Sequence, residues 1–98
     1  MGIVSFADAG TEAIFDGEST RAARRTCPET LWRIARRKLD QLNAAVHLHE
    51  LRFPPNNRLE ALKGDRKGEH SIRINDQYRI CFAWTDRGPS DVVIVDYH

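Results

Sequence analysis

The apolar residues of this chain change their spacing once, and that change limits the possible folds more than any other feature. Across residues 26–46, Leu31, Ala35, Leu39, Leu42 and Val46 recur at helical intervals, flanked by Trp32, Ile34 and Ala45. Arg33, Arg36, Arg37 and Asp40 fall on the opposite side, and Lys38 falls at the apolar edge, from where its ammonium must snorkel. Thr26-Cys27-Pro28-Glu29 has the spacing of a capping box, with Thr26 as N-cap, Pro28 in the first turn and Glu29 at N3. The pattern predicts an amphipathic helix of about four turns with an Arg-rich outer face. From His70 onward the period is two. Ile72 and Ile74 alternate with Ser71 and Arg73, and after a turn at Asn75-Asp76-Gln77, Tyr78, Ile80, Phe82 and Trp84 alternate with Arg79, Cys81 and Ala83. A second turn at Asp86-Arg87-Gly88-Pro89 leads into Val92-Val93-Ile94-Val95, a continuous apolar run that suits a central strand covered on both faces.

Helices followed by strands with short connections predict an α+β fold, with N-terminal helices packed on a small antiparallel sheet. The Leu stripe is expected on the face carrying Ile72, Ile74, Tyr78, Ile80, Phe82 and Trp84. Arg73 and Arg79 then lie on the other face, among polar side chains. Upstream, Ile3–Phe6 is a strand candidate, Ala9–Asp16 a short helix stopped by Gly17, and Ser19–Arg25 helix or loop. Residues 47–69 form a long basic loop broken by Pro54-Pro55-Asn56-Asn57, Gly64-Asp65 and Lys67-Gly68.

At 98 residues the chain has one domain's length, residues 1–98, and can bury ~65% of its unfolded surface. No apolar run approaches the ~20 residues of a membrane span. The opening Met1-Gly2-Ile3-Val4-Ser5-Phe6 lacks a signal peptide's basic and apolar regions and fails the myristoylation pattern. A cytoplasmic protein is expected. Cys27 and Cys81 are far apart and have no metal spacing, which predicts free buried thiols.

A net charge of +1 conceals segregation. Residues 1–18 carry four acids and no base, whereas residues 19–39 carry seven bases against Glu29 alone. Residues 52–79 carry seven more bases against four acids. Twelve of the fifteen bases are Arg, whose guanidinium forks onto phosphate. This distribution fits either a solvated helix face with internal acid partners or contact with nucleic acid.

Three places could carry chemistry. Arg79, at mid-strand, is either a surface arginine paired with a carboxylate or an anion holder on a concave sheet face. Asp96-Tyr97-His98 follows an apolar run that anchors it, and His98 titrates near neutrality. Leu62-Lys63-Gly64-Asp65-Arg66-Lys67-Gly68 suits phosphate contact but is no Walker motif. His47 and His49 lack the further ligands of a metal site, and there is no G-x-S-x-G or G-x-G-x-x-G. No metal or cofactor is expected.

Asn57-Arg58-Leu59-Glu60-Ala61-Leu62-Lys63-Gly64-Asp65-Arg66, then Ser71-Ile72-Arg73-Ile74-Asn75-Asp76-Gln77-Tyr78-Arg79-Ile80-Cys81-Phe82, then Val95-Asp96-Tyr97-His98, resemble the HigB branch of the RelE/ParE toxin superfamily over essentially the whole chain. The resemblance implies a RelE-like α+β fold and a toxin of a type II toxin–antitoxin system. It further implies a ribosome-dependent endoribonuclease that cuts translated mRNA, neutralised by a HigA-type helix-turn-helix antitoxin through which alone it meets operator DNA. Carried over, Lys63 is the loop lysine near the scissile phosphate, Arg79 the sheet arginine that holds it, and Asp96, Tyr97 and His98 the C-terminal cluster. Several HigB toxins carry His where this chain has Glu60, so the general base lies among Glu60, Asp96 and His98.

Metal-independent cutting needs a base for the 2′-OH, cations for the phosphorane and an acid for the 5′-oxygen. Lys63, Arg79, Asp96, Tyr97, His98 and Glu60 are the candidate catalytic residues, expected to converge in a positively lined hollow. Arg24, Arg25, Arg33, Arg36, Arg37, Arg66, Lys67 and Arg73 are the candidate contacts to RNA and the ribosome. Two other readings stay open: a ParE-like inhibitor of DNA gyrase without RNase activity, and a weakened toxin acting mainly in operon autoregulation.

Overall fold

Asp8 converts an extended N-terminal segment into the first helix, because its carboxylate accepts the Thr11 N–H at 2.8 Å and satisfies one of the free donors of the opening turn. In the computed structural model, which describes residues 2–97, α1 spans Ala9–Asp16 and ends at Gly17, whose φ of 77° closes the helix in the left-handed region. Thr20 caps α2 (Arg21–Thr26) by accepting the Ala23 N–H at 3.0 Å. Gly10 lets these two helices touch, since a β-carbon there would lie 2.5 Å from the Ala22 carbonyl oxygen and 1.9 Å from Thr26 Oγ1.

The capping box expected at Thr26 does not form. Thr26 ends α2 instead of starting the next helix, and its hydroxyl donates back to the Ala22 carbonyl at 2.9 Å. Cys27 is extended and buried, and the chain then passes through the single 3-10 turn Glu29–Leu31 into α3 (Trp32–Ala44). Ala35, Leu39 and Leu42 form the buried stripe as expected, but Val46 lies beyond the helix and is half exposed. Lys38 does not snorkel to solvent. Its ammonium donates to Oδ1 of Asn57, a fully buried side chain, and partial burial beside Arg37 and Arg73 holds its pKa below the ordinary lysine value. Asn57 Nδ2 in turn reaches the carbonyls of Leu51 and Phe53 at 3.1 Å each. This polar knot fixes a loop with few apolar residues of its own.

The sheet is an antiparallel meander in the order β1-β2-β3-β4, comprising Glu60–Ala61, Glu69–Arg73, Tyr78–Thr85 and Gly88–Asp96. The two-residue β1 sits inside what sequence patterning treats as loop. Ile72 pairs with Ile80, and Ile80 with Ile94, so these residues share one face with Ile74, Phe82 and Val92. That face packs on Ala13, Ile14, Ala35, Leu39 and Leu42, with Tyr78 and Trp84 partly buried against the same core. Thr11 ties α1 to the sheet, its Oγ1 accepting the Ile94 N–H at 3.0 Å.

β4 ends the strand order and is not central. Its residues alternate between buried and half-buried, so only one face is fully covered. The segment expected as strand Ile3–Phe6 runs beside β4 through a single parallel bridge between Phe6 and Val92. Between Cys81 and Ala83 the register slips, and Asp91, at φ 52°, takes up the extra residue on β4.

Candidate functional site

The second sheet face is built from the alternate residues. Ser71 pairs with Glu60 on one side and Cys81 on the other, and Arg73 pairs with Arg79. Arg79 therefore projects away from the helices, as the period-two pattern predicts. It is not a surface arginine among polar side chains, however, because only 7% of it is exposed. Residues 58–61 bring the Arg58 carbonyl and the Glu60 carboxylate to it, a contact that local patterning cannot see. Arg79 Nε donates to Ser71 Oγ at 2.8 Å, and Nη2 donates to the carbonyls of Arg58 at 2.6 Å and Ser71 at 3.3 Å. Among the described residues its Nη1 has no hydrogen-bond acceptor.

Two candidates meet this guanidinium. Glu60 Oε1 lies 3.9 Å from Arg79 Nη2, and the carboxylate is half exposed at the rim. The Tyr97 ring covers the guanidinium carbon at 5.7 Å from the ring centroid, within cation–π range. Tyr97 is held by its backbone N–H, which donates to the Gln77 carbonyl at 2.6 Å, and Gln77 Nε2 donates to Asp96 Oδ2 at 3.0 Å. The arrangement is a buried cation with a carboxylate at its edge and a phenol over its face. It can neutralise an anion through the unused Nη1 while the carboxylate accepts a proton.

Lys63 is exposed at the start of the 3-10 turn Gly64–Arg66 and has no ion-pair partner among the described residues. It lies on the site's loop but makes no contact with Arg79. His98 lies outside the described residues. Cys81 shares the Arg79 face, fully buried, and burial pushes its thiol above the usual cysteine range, which keeps it protonated and inert.

Of the expected RNA contacts, Arg33, Arg36 and Arg37 are exposed and with Asp40 line a shallow depression of about 460 Å³ on the outer face of α3. Arg24, Arg25 and Lys67 are exposed. Arg66 pairs with Glu69 at 3.1 Å. Arg73 does not join the Arg79 cluster. It pairs with Asp76 and lines a groove of about 490 Å³ with Arg37, Lys38 and Ile34. His47 and His49 are exposed and stacked, ring centroids 5.6 Å apart. No group of three His, Cys, Asp or Glu suited to a metal occurs among the described residues.

Arg58, Ser71 and Gln77 belong to the cluster without having been picked out from the sequence. For Ser71 a signal exists, because strand alternation puts it on the Arg79 face across the β2–β3 pair. Arg58 and Gln77 enter through loop geometry, which carries no periodicity.

Residues 4–98 match the family model described as the RelE-like toxin of the type II toxin–antitoxin system HigB. Toxin HigB-1 of Vibrio cholerae is 39% identical over 83 residues, covering 85% of this chain and 84% of that protein. An uncharacterized Haemophilus influenzae protein is 39% identical over 57 residues, 58% of this chain and 56% of its own length. A YoeB/ParE toxin from Agrobacterium tumefaciens superposes with a TM-score of 0.55 over both entire chains at 16% identity, a likeness of fold alone. With the helices, the antiparallel meander and the family match in agreement, the chain belongs to the HigB-like toxins of the RelE superfamily, components of type II toxin–antitoxin systems.

Proposed function

We propose that this toxin is a ribosome-dependent endoribonuclease that cleaves translated mRNA through attack of the RNA 2′-OH on the adjacent phosphorus. The reading is carried by the 3.9 Å approach of the Glu60 carboxylate to a buried Arg79 guanidinium whose Nη1 has no hydrogen-bond acceptor among the described residues. In it, Glu60 takes the 2′-OH proton, and Arg79 and Lys63 balance charge on the phosphorane. Tyr97 packs a base or bonds the phosphate, and Asp96 orients His98, which protonates the leaving 5′-oxygen. Removing one charge-stabilising donor from such a site costs on the order of 10²–10³ in rate.

The exposed arginines of α2 and α3 exceed what one scissile phosphate needs. They suit docking on ribosomal RNA, where backbone contacts supply most of the affinity. A HigA-type antitoxin completes the reading, carrying the toxin to operator DNA, and the site of action is the cytoplasm, where ribosomes translate. The test is induction of the toxin without antitoxin, followed by primer extension on cellular transcripts. Cuts confined to translated regions, and absent when initiation is blocked, are expected. Growth arrest with intact transcripts and inhibited gyrase would instead select the ParE-like activity, and no arrest at all the weakened toxin.

A further inference from the structure

We propose that Arg58 is a phosphate-contacting residue of this site, held in place by Arg79; the proposal rests on the endoribonuclease reading above. Arg58 has φ 45° and ψ 58°, the left-handed conformation. A long side chain with a β-carbon seldom adopts it, and arginine lacks the short polar group with which Asn or Asp compensates locally. Such conformations persist where the surroundings over-determine them, and they gather at functional sites.

The surroundings here do so from both ends of the residue. The Arg58 N–H donates to the Pro55 carbonyl at 3.1 Å, and its carbonyl accepts from Arg79 Nη2 at 2.6 Å. The preceding residue, Asn57, is fully buried and bonded to Lys38, Leu51 and Phe53. The Arg58 side chain, by contrast, is exposed and has no hydrogen bond or ion pair among the described residues. The fold fixes the backbone in a costly state and leaves the charge unused.

Local charge balance shows what that guanidinium can do. If Glu60 is ionised to accept a proton, its charge offsets that of Arg79, 3.9 Å away. A phosphate entering there gains little net attraction from the pair. The surplus positive charge must come from cations without acid partners beside the pair. Arg58 is one, joined to Arg79 through its own carbonyl and two residues from Glu60. Its guanidinium can take two oxygens of a backbone phosphate in fork geometry.

The experiment is single-turnover cleavage of mRNA on programmed 70S ribosomes at several KCl concentrations and constant Mg²⁺, comparing the parent with Arg58→Ala, Arg58→Gly and Arg58→Lys. Glycine accepts the left-handed backbone freely, so Arg58→Gly removes the charge while relieving the strain. Arg58→Ala and Arg58→Gly are expected to lose about tenfold or more at the lowest salt, and to lower the salt slope by about 0.7, the share of one single-stranded phosphate contact, so that the loss narrows as KCl rises. Arg58→Gly is expected to melt no lower than the parent, and Arg58→Lys to keep the parent slope. Parental rate and slope in both neutral variants overturn the proposal, as does Arg58→Gly restoring what Arg58→Ala loses, which would make the role one of backbone alone. A parent that leaves translated mRNA intact overturns the endoribonuclease reading and this proposal with it, whereas active parent and equally active variants overturn this proposal only.

Discussion

Replacing Arg79 by alanine tests how far the candidate site is also a structural element. The substitution removes three donated hydrogen bonds; the Ser71 hydroxyl and the Arg58 carbonyl lose this donor, while the Ser71 carbonyl keeps its place in the ladder between β1 and β2. Ser71 is fully buried, so its hydroxyl regains a partner only if water fills the vacated space. An orphaned buried polar group costs about 1–3 kcal/mol, and water entry recovers part of it. The Arg58 carbonyl sits on an exposed residue and contributes less. Loss of the Tyr97 cation–π contact adds about 0.5–1 kcal/mol. The net is about 2–4 kcal/mol. In a domain of this size 1 kcal/mol shifts the melting temperature by about 4–8 °C, so a drop of roughly 10–20 °C is expected by circular dichroism. A melting point within 3 °C of the parent would refute the reasoning, because it would mean the buried guanidinium holds nothing together. The sequence alone leads to the expectation that Arg79→Ala abolishes growth inhibition while folding and antitoxin binding survive. The burial of this side chain adds a fold cost, so lost toxicity must be compared with soluble protein level. Arg79→Lys, which keeps the charge but not the fork, helps separate the two effects.

Glu60→Gln keeps the size of the side chain and removes its ability to accept a proton; single-turnover cleavage is expected to fall about 10²–10⁴-fold with melting nearly unchanged. Gly10→Ala forces a β-carbon against Ala22 and Thr26 and is expected to destabilise by about 1–3 kcal/mol, seen as a lower denaturant midpoint at constant m-value. Burial pushes the Cys27 thiol up to about 11 from 9.0. The folded state therefore holds this proton after the unfolded chain releases it, so stability is unaffected below pH 9 and falls between about 9 and 11, by on the order of 2 kcal/mol. Cys27→Ala is expected to flatten that part of a urea-denaturation pH series, and an unchanged slope would count against the burial.

The parts foreseen from the sequence are those governed by local rules. The span of α1 follows from Gly17, the buried face of α3 from the spacing of Ala35, Leu39 and Leu42, and the sheet faces from strict alternation around Ile72 and Ile80. What escapes depends on which distant segment arrives on top. Thr26 has the chemistry of an N-cap, but α1 docks against α2 at Gly10 and the hydroxyl is used backward. Lys38 finds a buried amide only because residues 51–57 fold beneath it. Arg79 is recognisable as special from the family resemblance, yet its contacts with the Arg58 carbonyl and Glu60 come from in and beside β1, a strand too short for any periodicity. The left-handed Arg58 is equally invisible, since arginine gives no warning of that conformation.

The N-terminal segment running along β4 has a consequence for how the molecule meets other chains. Val4 and Ala7 donate to the carbonyls of Pro89 and Val92, and the Val92 N–H returns a bond to Ser5. The Pro89–Val92 stretch of one sheet border is thereby occupied by the protein's own backbone. At the opposite border a foreign peptide that extends the sheet by a strand meets the two residues Glu60–Ala61. An extended partner that docks in this way must arrive beside the carboxylate that the proposed chemistry uses, so gripping the toxin through its sheet and obstructing its catalysis become one physical event.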